Sequence, residues 1–274
     1  MTTQKNKIFK WFKVAVICYC GIGILLYYLQ DKILLHPNSV KPDYQYKFST
    51  SFKELTLPIN KKDTIHLVQF LPNQNSDASE SKGLVLYFHG GNGNITHYSE
   101  NVVQYTKNGF EVWMPDYPGF GKSVGELDEM KLYEEAYQVK RLAENKYKEE
   151  QIIILGTEFG AAIAANLAAS SRVKHLILES PYVSIPNLLS TYLPIYPWSS
   201  MCHFKMPTSQ FLQDVKCPVT VFAADNNALK LKPFLKKNDR VVIVKESSEL
   251  ELSKTKAYND IVLSVLKDST SLSR

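Results

Sequence analysis

Chemistry in this sequence concentrates where Gly156 and Gly160 bracket a single charged residue, Glu158. Before them, Ile152, Ile153, Ile154 and Leu155 form a short β-branched run, the pattern of a strand buried on both faces. After them, Ala161, Ala162, Ile163, Ala164 and Ala165 predict a helix of small side chains that can lie close to a sheet. A strand, a Gly-x-x-x-Gly turn and such a helix hold their central residue on a sharp, crowded bend suited to a nucleophile. That residue is usually serine. Here it is a carboxylate, and the question is whether the scaffold still performs chemistry.

The surrounding pattern predicts the elements that would position this turn. Residues 51–57 and 64–71 alternate apolar and polar, as two antiparallel strands joined by a turn at 60–63. A polar loop spans 72–82, then Leu84, Val85, Leu86, Tyr87 and Phe88 form a buried strand running into His89, Gly90 and Gly91. A helix is expected over about 99–107, with Gly109 just past its end. The strand 111–114 leads to Asp116, Tyr117, Pro118, Gly119, Phe120 and Gly121. Asp128 can cap a long helix whose Leu132, Ala136, Val139 and Ala143 recur at helical spacing. Strands at 173–178, 218–223 and 240–244 and a helix at 254–266 complete the series. Residues 182–211 lose periodicity and read as a lid. Strands alternating with helices, opened by an antiparallel pair, predict an α/β domain with a mostly parallel doubly wound sheet.

A chain of 274 residues, 45% hydrophobic and 22% charged, holds one such domain with a sizeable core. The net charge of +5 owes much to N-terminal lysines, and no basic stripe points to nucleic acid. Lys5, Lys7, Lys10 and Lys13 precede an uncharged run from Val14 to Leu29, extended backward by Ile8, Trp11 and Phe12. No small-x-small cleavage site follows it, so residues 11–29 are expected to cross a lipid bilayer once and remain attached. The lysine bias expects the N-terminus in the cytoplasm and the domain on the far side. The resulting division is 1–30 stub and anchor, 31–48 juxtamembrane linker, and 49–274 domain. Cys18 and Cys20 lie in the anchor. Cys202 and Cys217 are expected as buried thiols, a bridge between them being the alternative.

Several motifs together now carry a resemblance. Residues 30–37 (QDKILLHP), 89–94 (HGGNGN), 116–123 (DYPGFGKS), 178–182 (LESPY) and 216–219 (KCPV) follow one another in the order found in membrane-anchored α/β-hydrolases. The chain resembles the Bem46 and ABHD13/ABHD17 type over nearly its whole length, which implies the α/β-hydrolase fold and acyl-transfer chemistry by Ser, His and Asp. Matched motif by motif, the serine position carries Glu158, the acid position Asn227 (or Asp225 if the loop is re-registered), and the histidine position Glu249. The resemblance places oxyanion donors at the backbone N–H groups of Gly91 and Phe159, with His89, Gly90 and Asp116 building the loops around them. His97 and His175 fall where no base is needed and read as structural.

The first reading is a pseudo-hydrolase that binds an acyl-type ligand or a protein partner without turnover. The second is a hydrolase using Glu158 in a non-standard way, on acyl esters, thioesters or amides or in the manner of dehalogenases and epoxide hydrolases. A third gathers Glu158, Glu249 and Asp225 around a hard cation. No cofactor is expected. Glu158 is further expected to fold toward the oxyanion donors, with Glu249 approaching from the opposite side.

Overall fold

The computed structural model describes residues 2–73, 81–244 and 249–268. Eight strands form one sheet: β1 Phe52–Pro58, β2 Thr64–Phe70, β3 Gly83–Phe88, β4 Phe110–Pro115, β5 Ile152–Thr157, β6 His175–Glu179, β7 Val219–Ala223 and β8 Arg240–Ile243. Their spatial order is β1-β2-β4-β3-β5-β6-β7-β8. β1 pairs antiparallel with β2 and β2 antiparallel with β4, while every later pairing is parallel. The β-branched run of β5 lies centrally, as its apolar continuity requires.

Alternation along the central strands divides the interior into two cores. Leu84, Leu86, Ile152, Ile154, Leu176 and Leu178 face one side, against the helices α2 (Glu129–Glu144) and α3 (Phe159–Ala169). Val85, Tyr87, Ile153, Leu155 and Ile177 face the other, against Tyr98, Tyr105 and the closing helix α4 (Lys256–Lys267). Period-two side chains buried on both faces are the mark of a doubly wound sheet. Asp128 caps α2 by accepting from Lys131 N at 3.0 Å, and Thr255 caps α4 through Tyr258 N. Gly109 takes φ 89° just beyond the helix Val103–Lys107. The expected single helix at 99–107 is instead broken into Ile95–Tyr98, a 3₁₀ turn Ser99–Val102, and Val103–Lys107. Asn94, three residues after Gly91, caps the first piece, so the turn begins earlier than periodicity implies.

The N-terminal helix, α0 (Thr2–Leu34), runs five residues past the expected end of the anchor at residue 29. Residues 35–40 then lie along the domain rather than bridging to it as a linker: His36 N donates to Gly91 O at 2.8 Å, Asn38 N to Gly93 O at 2.9 Å and Val40 N to Gly121 O at 2.8 Å. Residues 182–211 contain the helices Ile185–Tyr192 and Trp198–Met201, and a third helix, Thr208–Asp214, begins at their end. Ser184 caps the first of them through Asn187 N at 3.2 Å. Cys202 and Cys217 are both free and buried.

Two glycines let α3 sit directly against the sheet. A methyl group on Gly160 would lie 2.2 Å from Phe88 O and 2.3 Å from His89 O, and one on Gly156 would lie 2.5 Å from Ala164 Cβ. No side chain fits against backbone carbonyls at such distances. Gly160→Ala is therefore expected to destabilise the protein by about 3 kcal/mol or more, read as a lower denaturant midpoint. Gly21→Ala, where nothing lies within 4 Å, serves as the neutral control.

A buried carboxyl on α2 gives a second expectation. Burial, aided by Asp63, pushes Glu135 up from its ordinary value near 4.5 to about 7. The folded protein thus holds this proton more tightly than the unfolded chain. Its stabilisation is complete below about pH 4.5 and is lost as pH rises through about 7. Glu135→Gln should flatten that part of the stability curve and be about 2 kcal/mol more stable than the parent at pH 8. Parallel pH curves for the two proteins would show that Glu135 titrates normally.

Candidate functional site

Glu158 stands at the apex between β5 and α3 with φ 50° and ψ −111°. It is one of three non-glycine residues at positive φ among the described residues, with Ser180 and Met206. Such a conformation costs about 1–3 kcal/mol and persists where the surroundings enforce it. They do so here: Glu158 N donates to Glu179 O at 2.8 Å, and Gly156 and Gly160 admit the tight turn. The bend therefore has its reactive-residue geometry, with a carboxylate in place.

The Glu158 side chain is buried and makes no capping bond to its own helix. A methyl group on Gly90 would lie 2.7 Å from Glu158 Oε2 and 2.5 Å from the Tyr98 hydroxyl. The carboxylate thus turns toward the Gly90-Gly91 loop, but at Gly90 and Tyr98 rather than onto the first amides of α3. Burial and then the nearby Glu158 charge raise the Tyr98 pKa. Gly91 and Phe159 are neighbours, since a methyl group on Gly91 would lie 3.7 Å from Phe159 Cβ. The same methyl would meet Leu35 Cδ2 at 2.8 Å. The segment after α0 therefore covers the loop on which the expected oxyanion donor sits.

A polar cluster beneath that loop fixes its shape. His89 Nδ1 donates to Gly90 O at 2.8 Å, and its Nε2 lies 3.3 Å from Asp116 Oδ1. The same Asp116 oxygen accepts from Ile95 N at 3.1 Å, while His66 Nδ1 lies 3.9 Å from Oδ2. Burial alone would raise the Asp116 pKa, but the adjacent His66 and His89 imidazoles outweigh it and hold the carboxyl below its usual value. Glu54 joins His66 Nε2 to Lys122 at the outer end of the cluster. His66 was hidden in the sequence, its only signal being a polar residue on the inward face of an alternating strand.

The acid and histidine positions are arranged differently. Asn227 and Asp225 lie after β7, two strands from β5, and they bind each other: Asp225 Oδ1 accepts from Asn227 N at 2.8 Å, and Oδ2 from Asn227 Nδ2. Both line a cleft of about 250 Å³ walled on the far side by Leu188, Thr191 and Tyr192. Glu158 is not among the residues lining it. The backbone of Glu249 opens the 3₁₀ helix Glu249–Lys254, but its side chain lies outside the described residues. Among the described residues no three His, Cys, Asp or Glu side chains are arranged to hold a metal ion.

On the opposite face of the sheet, Glu179 is buried directly beneath the elbow. Thr157 Oγ1 donates to its Oε2 at 2.7 Å and the Tyr258 hydroxyl to its Oε1. Tyr105 and Tyr258 join through their hydroxyls at 2.8 Å. Burial raises the Glu179 pKa, and burial together with Glu179 raises those of Tyr87, Tyr105 and Tyr258. Glu179 stood in the LESPY motif, but its partners lie in segments far away in the chain.

Comparison with known proteins places this geometry. The profile of the serine aminopeptidase S33 family matches residues 79–262. The chain belongs to that family. Among S33-like relatives, protein bem46 of Schizosaccharomyces pombe is 27% identical over 197 residues, 68% of this chain and 65% of that protein. The lysophosphatidylserine lipase ABHD12 of Xenopus tropicalis is 26% identical over 171 residues, 54% of this chain and 44% of that lipase. The chain thus spans less than two thirds of either relative. The Pyrococcus furiosus esterase Pf2001 superposes with a TM-score of 0.64 at 16% identity, covering 85% of this chain and 97% of the esterase. A monoglyceride lipase of Saccharomyces cerevisiae gives 0.60 at 15% identity, covering 83% and 99%. At those identities the two structures establish the α/β-hydrolase fold alone, as the motifs imply.

Replacing the strained, buried Glu158 by glycine removes both the positive-φ penalty and a desolvated carboxylate. Glu158→Gly is expected to stabilise the protein by about 1 kcal/mol, measured as a higher unfolding midpoint. A loss of stability instead would mean that the carboxylate's contacts outweigh the backbone strain.

Proposed function

We propose that this S33-family chain is a membrane-anchored pseudo-hydrolase, which binds an acyl-type ligand or a protein partner without turning it over. The observation that carries this reading is Glu158 itself, a buried carboxylate on the elbow apex that faces Gly90 and Tyr98 and lies outside the cleft. Acyl transfer needs a hydroxyl or thiol at that point, a base beside it and donors free for the oxyanion. Glu158 offers no hydroxyl or thiol. Asp225 and Asn227 are bonded to each other. The loop around Gly91 is packed under Leu35. Its two glycine contacts support a site kept for shape.

The helix segment Lys7–Leu34 contains an 18-residue window with a mean hydropathy of 1.9 and is long enough to cross a bilayer. Its Ile8, Ile17 and Ile24 face outward, unlike a core helix. With four lysines ahead of its uncharged run at residues 14–29, this supports a single span with the N-terminus in the cytoplasm and the domain on the other side.

The alternative gives Glu158 a covalent role like that of carboxylate nucleophiles elsewhere in this fold, and one experiment separates the two. The full chain in detergent, treated with a fluorophosphonate and a panel of acyl esters, is expected to show neither labelling nor turnover. Glu158→Ser should remain inactive, because the acid position carries Asn227 and the histidine position Glu249, and neither can act as the base. Turnover in the parent that disappears in Glu158→Ala would overturn the reading and establish an enzyme.

A further inference from the structure

The helix α0 does not leave the domain as a free stalk. Midway along it, the Tyr19 ring stacks on Tyr196 with centroids 4.7 Å apart and planes 6° from parallel. The Tyr19 hydroxyl donates to Ile195 O at 2.8 Å, and the Tyr196 hydroxyl donates to Tyr19 O at 3.1 Å. Gly23 leaves room for the ring, since a methyl group there would touch Tyr196 Cε1 at 3.0 Å. Nearer the domain, buried Gln30 donates to Met201 O at 3.1 Å and accepts from His203 N at 3.0 Å. Asp31 pairs with His203 at 2.9 Å. The lid therefore runs alongside the helix for several turns.

That contact fixes a depth. The helix segment Lys7–Leu34 is 28 residues, whereas a hydrocarbon core takes only about 20. Wherever a window of about 20 residues falls within residues 7–34, it contains Tyr19. Even the window nearest the N-terminus, 7–26, leaves Tyr19 seven residues inside its domain-side end, or about 10 Å at 1.5 Å per residue. Placing the polar Asp31–His203 pair at headgroup level sets Tyr19 about 18 Å down, near the midplane of a core about 30 Å thick. What is bonded to Tyr19 lies at the same depth.

The lid has the composition for that position. Residues 180–202 contain no Asp, Glu, Lys or Arg, in a chain where 22% of residues are charged. At its tip Tyr192 is 74% exposed and Ile195 65% exposed, a cost in water but not in lipid. Three polar groups near the tip are already satisfied by protein: the Tyr19 and Tyr196 hydroxyls as above, and Trp198 Nε1 by Leu193 O at 2.7 Å. Hydrocarbon demands such internal pairing.

We propose that the lid tip, residues 192–196, is a second membrane-embedded element, immersed beside α0 in the domain-side leaflet. The inference rests on the anchor reading given above. The cleft walled by Leu188, Thr191 and Tyr192 then lies on the helix that leads into that leaflet, which becomes the nearest source of an acyl-chain ligand.

Depth-dependent quenching tests it on the full chain in phosphatidylcholine vesicles. With Cys18 and Cys20 replaced by serine, a bimane label is placed at Ile195→Cys, at Ile17→Cys on the outward face of α0, and at exposed Lys237→Cys on the domain. Lipids brominated along the acyl chain should quench the labels at 17 and 195 alike, at least twofold, and leave the label at 237 unchanged. Quenching at 17 without quenching at 195 would leave the anchor in place and overturn the embedded tip. The same result would be expected if the tip's apolar surface instead served a protein partner. Absence of quenching at both would remove the anchor reading and the proposal with it.

Discussion

The contact on which the site depends is the approach of a helix N-terminus to the edge of a sheet with nothing between them but backbone. Gly160 lies against the carbonyls of Phe88 and His89, which end β3 and open the loop carrying Gly90 and Gly91. That contact draws β5, α3 and the loop after β3 to one point. It places Phe159 beside Gly91 and forces Glu158 into a left-handed bend. A side chain on Gly160 would push the elbow off the sheet and separate the groups that define the site. The requirement is steric, and it holds whatever residue occupies the apex.

Much of the fold was legible because it follows from local pattern. Period-two runs in β1 and β2, continuous apolar strands at the centre, the Asp128 cap and Gly109 each act over a few residues. The elbow was legible for the same reason, since two glycines four apart between a β-branched run and an alanine-rich helix have few other uses. What escaped notice involves partners far apart in sequence. Nothing near Tyr98 points to Gly90 and Glu158. His66 meets Asp116 only because β2 lies beside β4. Residues 35–40 read as a linker because their partners, Gly91, Gly93 and Gly121, lie more than fifty residues downstream. The break in the helix over 95–107 has a related cause: Ile95 N is drawn to Asp116 across the loop, which starts the turn early.

The two faces of the sheet support the elbow in different ways. On one face the cluster of His89, Asp116 and His66 shapes the loop bearing Gly90 and Gly91. On the other, Glu179 sits under Thr157 with Tyr258 and Tyr105 behind it. Its main-chain oxygen holds the Glu158 amide, so one residue serves both the buried network and the bend. The satisfied network under Thr157 favours one arrangement over its neighbours, because any shift leaves a buried group without a partner. In the loop after β7, Asp225 and Asn227 are held by each other.

The cysteines carry a consequence for where such a chain can mature. Cys202 and Cys217 are buried and unpaired, and burial pushes the Cys217 thiol up to about 12. A thiol held protonated and out of reach is a poor nucleophile for disulfide exchange. The architecture therefore rests on packing and hydrogen bonds, with no covalent staple to close. For these two buried thiols, unlike the exposed Cys18 and Cys20, an oxidising compartment offers no partner to pair with.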